Sequence, residues 1–384
     1  MHYSLKHEVT VVRPCDQESM DCGYHAGAVA WAERPPRMAP NESTVYVQFK
    51  GERRDGRAMR IPHPGVNNVH DLSLFDAGAV TCVAAACNDG RIHTYAYDGR
   101  RGWSKVQQSP RFAGAVPLRL RSDVSWPNGA EYMVVSLSDG WIAAWGANKW
   151  KYDQANVGEN REVQYSAAWQ ILEDLADFPR FVFDCGSSVR DSTWIGASGN
   201  RVVVFKAELL SQQNNDQLLA GEPRLVPGDG RVSAAAVHHG RRGCCVTGCV
   251  EGSLQIWDVR QPAAALHVSR EVLRTQCYPR IRDLGAADHM ILGTVGGSIN
   301  VWDARRLAAP LGCHPSQGGF ISAVDFSSMR HSHFSLTGRL LVGTKAGAVE
   351  DWQLPALPEE AKGPRPPRFS FHGSSGTPWW GADC

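Results

Sequence analysis

At 384 residues, with 43% hydrophobic and 21% charged side chains, the chain has the make-up of a folded globular protein rather than a disordered or fibrous one. A net charge of +1 argues against a broad nucleic-acid-binding surface, which needs a basic excess. No apolar run of about 18 residues is present, so no membrane-spanning helix is expected, and the opening residues lack the apolar core of a secretory leader.

Residues 1–25 carry one strand candidate, Glu8–Val12, ended by Arg13-Pro14. It is expected to latch onto a sheet built by the other end of the chain, hiding an exposed edge. Residues 26–64 predict strands at 27–32, Thr44–Phe49 and Met59–Ile61 around a turn at 52–56. From 68 to 112 the pattern sharpens into strands at 69–75, 80–86 and 92–97. The last two are joined by Asn88-Asp89-Gly90, a strong hairpin signal.

Ser138-Asp139-Gly140 plays the same part within 113–164, ahead of a charged stretch at 149–163. Residues 165–230 predict strands at 181–183, 193–197 and 202–205, then an insertion loop at 209–230 rich in Gln, Asn, Pro and Gly. Segments 231–278 and 279–318 are near copies, each carrying Gly-Ser, an alternating strand and Trp-Asp, at Gly252 to Asp258 and Gly297 to Asp303. A further unit, 319–355, ends near Trp352. Residues 356–384 are Pro-rich, with Phe369, Phe371, Trp379 and Trp380, and read as an irregular tail.

One interval recurs throughout. A turn residue precedes an aromatic by five positions at Gly90/Tyr95, Gly140/Trp145, Asn200/Phe205, Gly252/Trp257, Gly297/Trp302 and Gly347/Trp352. Gly and Asn tolerate the positive φ of a tight turn. The aromatic should plug a layer between neighbouring sheets. Units of 45–60 residues, each with three or four short strands, signal an all-β propeller. The expected layout is an N-terminal segment with the latch (1–25), a seven-bladed β-propeller of four-stranded antiparallel sheets (26–355), and the tail (356–384).

Trp257-Asp258, Trp302-Asp303 and the strand–turn–strand frame around them resemble the WD-repeat propellers, over roughly residues 26–355. Two of the six aromatics carry the Asp, and the Gly-His dipeptide that opens such repeats is missing. The family's Asp–His–Ser/Thr–Trp network is therefore expected to be incomplete. Residues 69–75 and 252–261 are also similar to the small propellers of the nuclear pore outer-ring complex. That resemblance implies a scaffold subunit. Arg260 and Arg305 each follow a repeat Asp by two residues. Trp-Asp-x-Arg is similar to the motif by which some propellers dock onto the adaptor of cullin ubiquitin ligases, which implies a substrate receptor as the alternative function.

No nucleophile elbow, phosphate-cradling loop or zinc-protease motif is present, and the cysteines lack close Cys-x-x-Cys spacing. No catalytic residue, cofactor site or metal site is expected. The 11 cysteines, several inside strand-like runs, read as free thiols of a reducing compartment, cytosol or nucleus. Partner-binding candidates are the turn residues Asn88, Asp89, Ser138, Asp139, Glu251 and Lys345, with Arg260, Arg305, Trp379 and Trp380. For Asp89 and Asp139, turn formation alone explains the residue type. The expected function is a non-enzymatic scaffold in a multiprotein complex. Its partners are other proteins, with no nucleic acid as main ligand, no membrane insertion and no small-molecule substrate.

Overall fold

The computed structural model describes residues 8–12, 28–34, 44–49, 59–61, 69–77, 80–99, 102–125, 131–146, 161–172, 181–186, 193–206, 224–226, 230–239, 242–260, 267–269, 280–287, 289–305, 307, 310–325, 339–344 and 349–353. Among them every regular element is a β-strand, and there is no helix. The first sheet runs β1 (Glu8–Val12), β2 (Ala28–Arg34), β3 (Thr44–Phe49) and β4 (Met59–Ile61) in spatial order. The second runs β5 (Val69–Ala77), β6 (Val80–Cys87), β7 (Ile92–Asp98) and β8 (Gly102–Gln108). The third runs β9 (Pro117–Ser125), β10 (Glu131–Leu137), β11 (Trp141–Gly146) and β13 (Ala167–Gln170). A short strand between them in sequence, β12 (Arg161–Glu162), pairs parallel to β8.

The fourth sheet holds β14 (Val182–Cys185), β15 (Thr193–Ser198), β16 (Arg201–Lys206) and β17 (Arg224–Leu225). Next come β18 (Val232–His239), β19 (Cys244–Cys249), β20 (Leu254–Asp258) and β21 (His267–Ser269). They join β22 (Ile281–Ala287), β23 (Met290–Val295), β24 (Ser298–Asp303) and β25 (Gly312–Pro315) in one eight-stranded sheet. The two halves meet through a short parallel pairing of His238 and His239 with Ala286 and Ala287. The last sheet has β26 (Ile321–Asp325), β27 (Arg339–Thr344) and β28 (Val349–Gln353). Within each four-stranded unit the pairing is antiparallel, as in the blades of a propeller.

Strand periodicity explains the stacking. On β10, Val134 feeds the apolar layer shared with the fourth sheet, while Met133 and Val135 feed the layer shared with the second. A strand buried on both faces reads as a continuous apolar run, as 133–135 does. Six such layers separate successive units, and each takes one aromatic of the repeat. Tyr95 lies between the first and second sheets, Trp145 next, then Phe205, Trp257, Trp302 and Trp352. All six rings are at most 5% exposed, so none is a surface ornament. Truncating a buried Trp of this kind costs about 3–5 kcal/mol.

The turns divide into two classes that the interval rule merges. Asn88–Gly90, 138–140 and 250–252 are three-residue loops whose last residue, Gly90, Gly140 or Gly252, takes a φ of 78°, 86° or 85°. At Gly199-Asn200 and Gly296-Gly297 the loop has two residues, because Ser198 pairs with Arg201 and Val295 with Ser298. There the positive φ falls on Gly199 and Gly296, at 58° and 59°, one residue before the expected position. Asn200 and Gly297 close the loop instead. The aromatic is the fifth residue after the loop in both classes.

The latch expectation is corrected. Glu8–Val12 is a strand, but it is hydrogen-bonded to β2 in the first sheet, not to the sheet built by the other end of the chain. A sequence-adjacent antiparallel partner, with five register pairs from Glu8/Arg34 to Val12/Ala30, satisfies its ladder. The insertion 209–230 and the charged stretch 149–163 each end in a short outer strand, β17 and β12 respectively. Charged edge strands gain little from core burial, so their composition conceals them.

Candidate functional site

Among the described residues, one end of five units is built from the second hairpin turn and the linkers that carry the chain onward. Linker 109–116 bonds both turns it runs between: Phe112 N–H donates to Gly90 O at 2.9 Å, and Ser138 N–H to Val116 O at 2.9 Å. Linker 226–231 repeats this, with Val226 N–H on Asn200 O and Val250 N–H on Arg231 O, each at 2.8 Å. Ile171 donates to Gly140 O, and Ser316 to Gly297 O. Two of these approaches are close enough to favour glycine: a Cβ on Gly90 would sit 3.2 Å from Phe112 O, and one on Gly297 would sit 3.0 Å from Gly319 O. The turns are thus rigid and share one face.

That face brings Asn88, Asp89, Ser138, Asp139 and Glu251 together on one side of the molecule, the acids at the middle position of the three-residue loops. Asp139 and Glu251 are exposed. Asp139 accepts the Trp141 N–H at 3.4 Å, and Glu251 accepts the Ser253 hydroxyl at 3.0 Å. Asp89 is half-buried. It accepts the Arg91 N–H at 3.0 Å and bonds His93 Nε2 at 2.8 Å. Burial would raise its carboxyl, but the His93 contact and Arg91 hold it below the usual range. Val250 beside Glu251 is 39% exposed.

The Asp89 turn is also where metal-type donors meet. Cys87 Sγ, an Asp89 oxygen and a His93 nitrogen all lie within 4.8 Å of one another. The set is of the kind zinc takes. However, Asp89 Oδ2 and His93 Nε2 face each other across a hydrogen bond. Burial and Asp89 push the Cys87 thiol well up, and the charges of Lys105 and Arg91 lie in electrostatic reach. The Asp89–His93 hydrogen bond ties the turn to β7. The three lie at 87, 89 and 93 across one turn, a mixed spacing that a search for Cys-x-x-Cys pairs does not detect.

A second charged cluster escaped sequence reasoning. β9 places Arg119 and Arg121 on one face at the period of a strand. Arg121 Nε lies 3.2 Å from Asp184 Oδ1 of β14, and its Nη1 lies 3.7 Å from Asp71 Oδ2 of β5. Arg119 Nη2 reaches Asp283 Oδ1 of β22 at 2.5 Å, three units further along. Asp71 and Asp184 also accept backbone N–H groups of the following unit, Leu120 and Val237, each at 2.9 Å. These groups sit on the first strand of their units and tie those strands together. The alternation Arg119-Leu120-Arg121 inside an apolar strand was the available signal.

Arg260 and Arg305 occupy neither cluster. Each guanidinium forks onto its own repeat Asp: Arg260 Nε is 2.9 Å from Asp258 Oδ1, and Arg305 Nε is 2.9 Å from Asp303 Oδ1. Each backbone N–H bonds the same carboxylate. Burial would raise the Asp303 carboxyl, but Arg305 holds it below its ordinary value. The Arg260 side chain is 71% exposed and lies over an Asp258 side chain that is only 5% exposed. Lys345, Gly347, Trp379 and Trp380 lie outside the described residues.

The repeat aromatics are wired differently from unit to unit. Trp257 Nε1 donates to Thr247 Oγ1 at 2.9 Å, and Thr247 donates to Gln255 Oε1 at 2.6 Å. Gln255 Nε2 then donates to Ser253 Oγ, which reaches Glu251 in the turn. Trp352 Nε1 donates to Glu350 Oε2, whose other oxygen accepts Gly318 N–H and Ser316 Oγ–H. Trp145 donates to Val163 O. No protein-family model matches the chain, and no curated protein matches it.

Proposed function

We propose that the chain is a WD-repeat-type propeller of seven blades, closed into a ring, that acts as a non-enzymatic scaffold in a multiprotein assembly of the cytosol or nucleus. The first strands support the ring: β5 packs on β9, β14 on β18, β18 on β22, and β1 lies against both β5 and β26. The first and last units thereby become neighbours. Six of the seven described cysteines are buried as small apolar groups, which suits a reducing compartment.

The observation that carries the scaffold reading is the stitched turn face. Hydrogen bonds between turns and linkers fix it before any partner arrives, which lowers the ordering cost of binding. Exposed Asp139 and Glu251, with Val250 beside Glu251 in the same turn, give it a polar rim and an apolar contact. Crosslinking and affinity purification of the full chain should retain partners that Asp139→Lys/Glu251→Lys loses while its melting temperature is unchanged. Retention of every partner by that variant refutes the face assignment. Loss of a cullin adaptor in Arg260→Ala/Arg305→Ala alone would favour the ligase function instead.

A further inference from the structure

Among the described residues one set of three metal-type donors converges: Cys87 Sγ, an Asp89 carboxylate oxygen and a His93 ring nitrogen, mutually within 4.8 Å. We propose that this set is a zinc site, with the Cys87 thiolate, the Asp89 carboxylate and the His93 imidazole as ligands and a water completing the tetrahedron. This goes beyond the scaffold reading and does not depend on it.

The fold brings the donors together from two directions. Ala85 pairs with His93 across the β6–β7 hairpin, so Cys87, two residues beyond Ala85, stands on the same face as His93 and nearer the turn. The turn supplies the third donor. Gly90, at a φ of 78°, lets the loop close, and Asp89 Oδ2 then lies 2.8 Å from His93 Nε2. The other oxygen, Oδ1, accepts the Arg91 N–H at 3.0 Å, which aims Oδ2 at the imidazole and orients it as a ligand. Around a tetrahedral zinc, oxygen and nitrogen at about 2.0–2.2 Å from the ion stand about 3.3 Å apart. The pair therefore has to part by roughly 0.5 Å as the ion takes the place of the hydrogen between them. Asp89 can give that movement: its side chain is on a turn and 25% exposed, and the same exposure is the path of entry.

The charges balance. Thiolate and carboxylate match the two charges of the ion. Zinc deprotonates a coordinating thiol, so one proton leaves Cys87 as the Zn–S bond forms, while neutral His93 carries its proton on Nδ1. The nearby cations have partners of their own. Arg91 Nη1 donates to Ser109 O at 2.8 Å and lies 3.6 Å from Glu162, and Lys105 Nζ donates to Gln108 Oε1 at 3.1 Å.

The test uses cobalt(II) as the probe, added to the chelator-treated full chain and then displaced by zinc. One equivalent should give a thiolate-to-cobalt charge-transfer band with the intense visible bands of a tetrahedral ion, and zinc should abolish both. Cys87→Ser should remove the charge-transfer band. Asp89→Asn and His93→Gln should each weaken cobalt binding by roughly 10-fold or more, while Cys313→Ser leaves it unchanged. Absence of the band in the full chain overturns the proposal. So does a band that survives Cys87→Ser, which would put the ion on other thiols. If Cys87→Ser fails to fold, X-ray absorption of the zinc-loaded full chain decides together with Asp89→Asn. One sulfur beside nitrogen and oxygen, with weakened binding in Asp89→Asn, supports the site. No sulfur, several sulfurs, or undiminished binding overturns it.

Discussion

Replacing Arg121 with Met keeps the aliphatic stem and removes the charge that joins three blades. The guanidinium lies 3.2 Å from Asp184 and 3.7 Å from Asp71, whose side chains are 6% and 8% exposed. At an effective dielectric of about 20, each contact amounts to about 4–5 kcal/mol of Coulomb attraction before desolvation is counted. The carboxylates cannot swing to water without giving up the Leu120 and Val237 amides that they cap. Removing one member of a buried pair typically costs about 3–5 kcal/mol, because the other charge is left uncompensated. Arg121→Met should therefore unfold at a clearly lower urea concentration with an unchanged slope. Adding Asp71→Asn and Asp184→Asn should recover most of the loss, since neutral amides need no cation. A loss under about 1 kcal/mol, or no recovery in the triple variant, would show that solvent screens the cluster and refute the reasoning.

Three further outcomes are expected. Asn300 is fully buried, and its Nδ2 and Oδ1 have no hydrogen-bond partner among the described residues, so Asn300→Val should raise stability by about 1–3 kcal/mol in thermal melts; a loss would mean the amide is satisfied. A Cβ on Gly248 would lie 2.6 Å from Ile281 Cγ2, so Gly248→Ala should cost about 1–3 kcal/mol by overpacking, whereas Gly146→Ala, with nothing within 4 Å, should cost little; equal effects would sink the packing argument. Burial holds the His314 imidazole down to about 4, against 6.5 when unfolded. Between those values the unfolded chain takes up a proton that the folded chain refuses, so stability falls as pH drops through the window and His314 adds no further loss below it. His314→Leu should flatten that limb in melts at pH 7 and 5, and an unchanged slope would count against it.

The architecture was legible because backbone demands recur. Loop glycines and the aromatic five residues on answer to geometry that recurs from unit to unit, so one interval marks Tyr95, Trp145, Phe205, Trp257, Trp302 and Trp352 without knowledge of their neighbours. The strand at Glu8–Val12 was legible too, but its partner was not. Pairing is decided between segments, and a strand's own alternation carries no information on which edge it joins. β12 and β17, of two residues each, are too short to show a period at all.

The site was less legible because its chemistry does not follow the repeat. Two positions before each aromatic stand His93, Ala143, Val203, Gln255, Asn300 and Glu350, four polar and two apolar. Where the residue is Gln255 or Glu350, it carries the indole's hydrogen bond toward the turn or linker. At Asn300 the route is broken. Its cross-strand partner is Gly293, whereas Gln255 faces Thr247, and only Thr247 has a hydroxyl to accept an indole N–H. A Cβ at Gly293 would lie 3.0 Å from the Trp302 ring, so the indole has settled into the space that side chain would need. Packing, once served by glycine, has displaced the polar link between core and turn. The repeat's Trp-Asp therefore marks where a strand ends, and the residue two places before the Trp, with its cross-strand neighbour, decides whether the indole is linked to the turn.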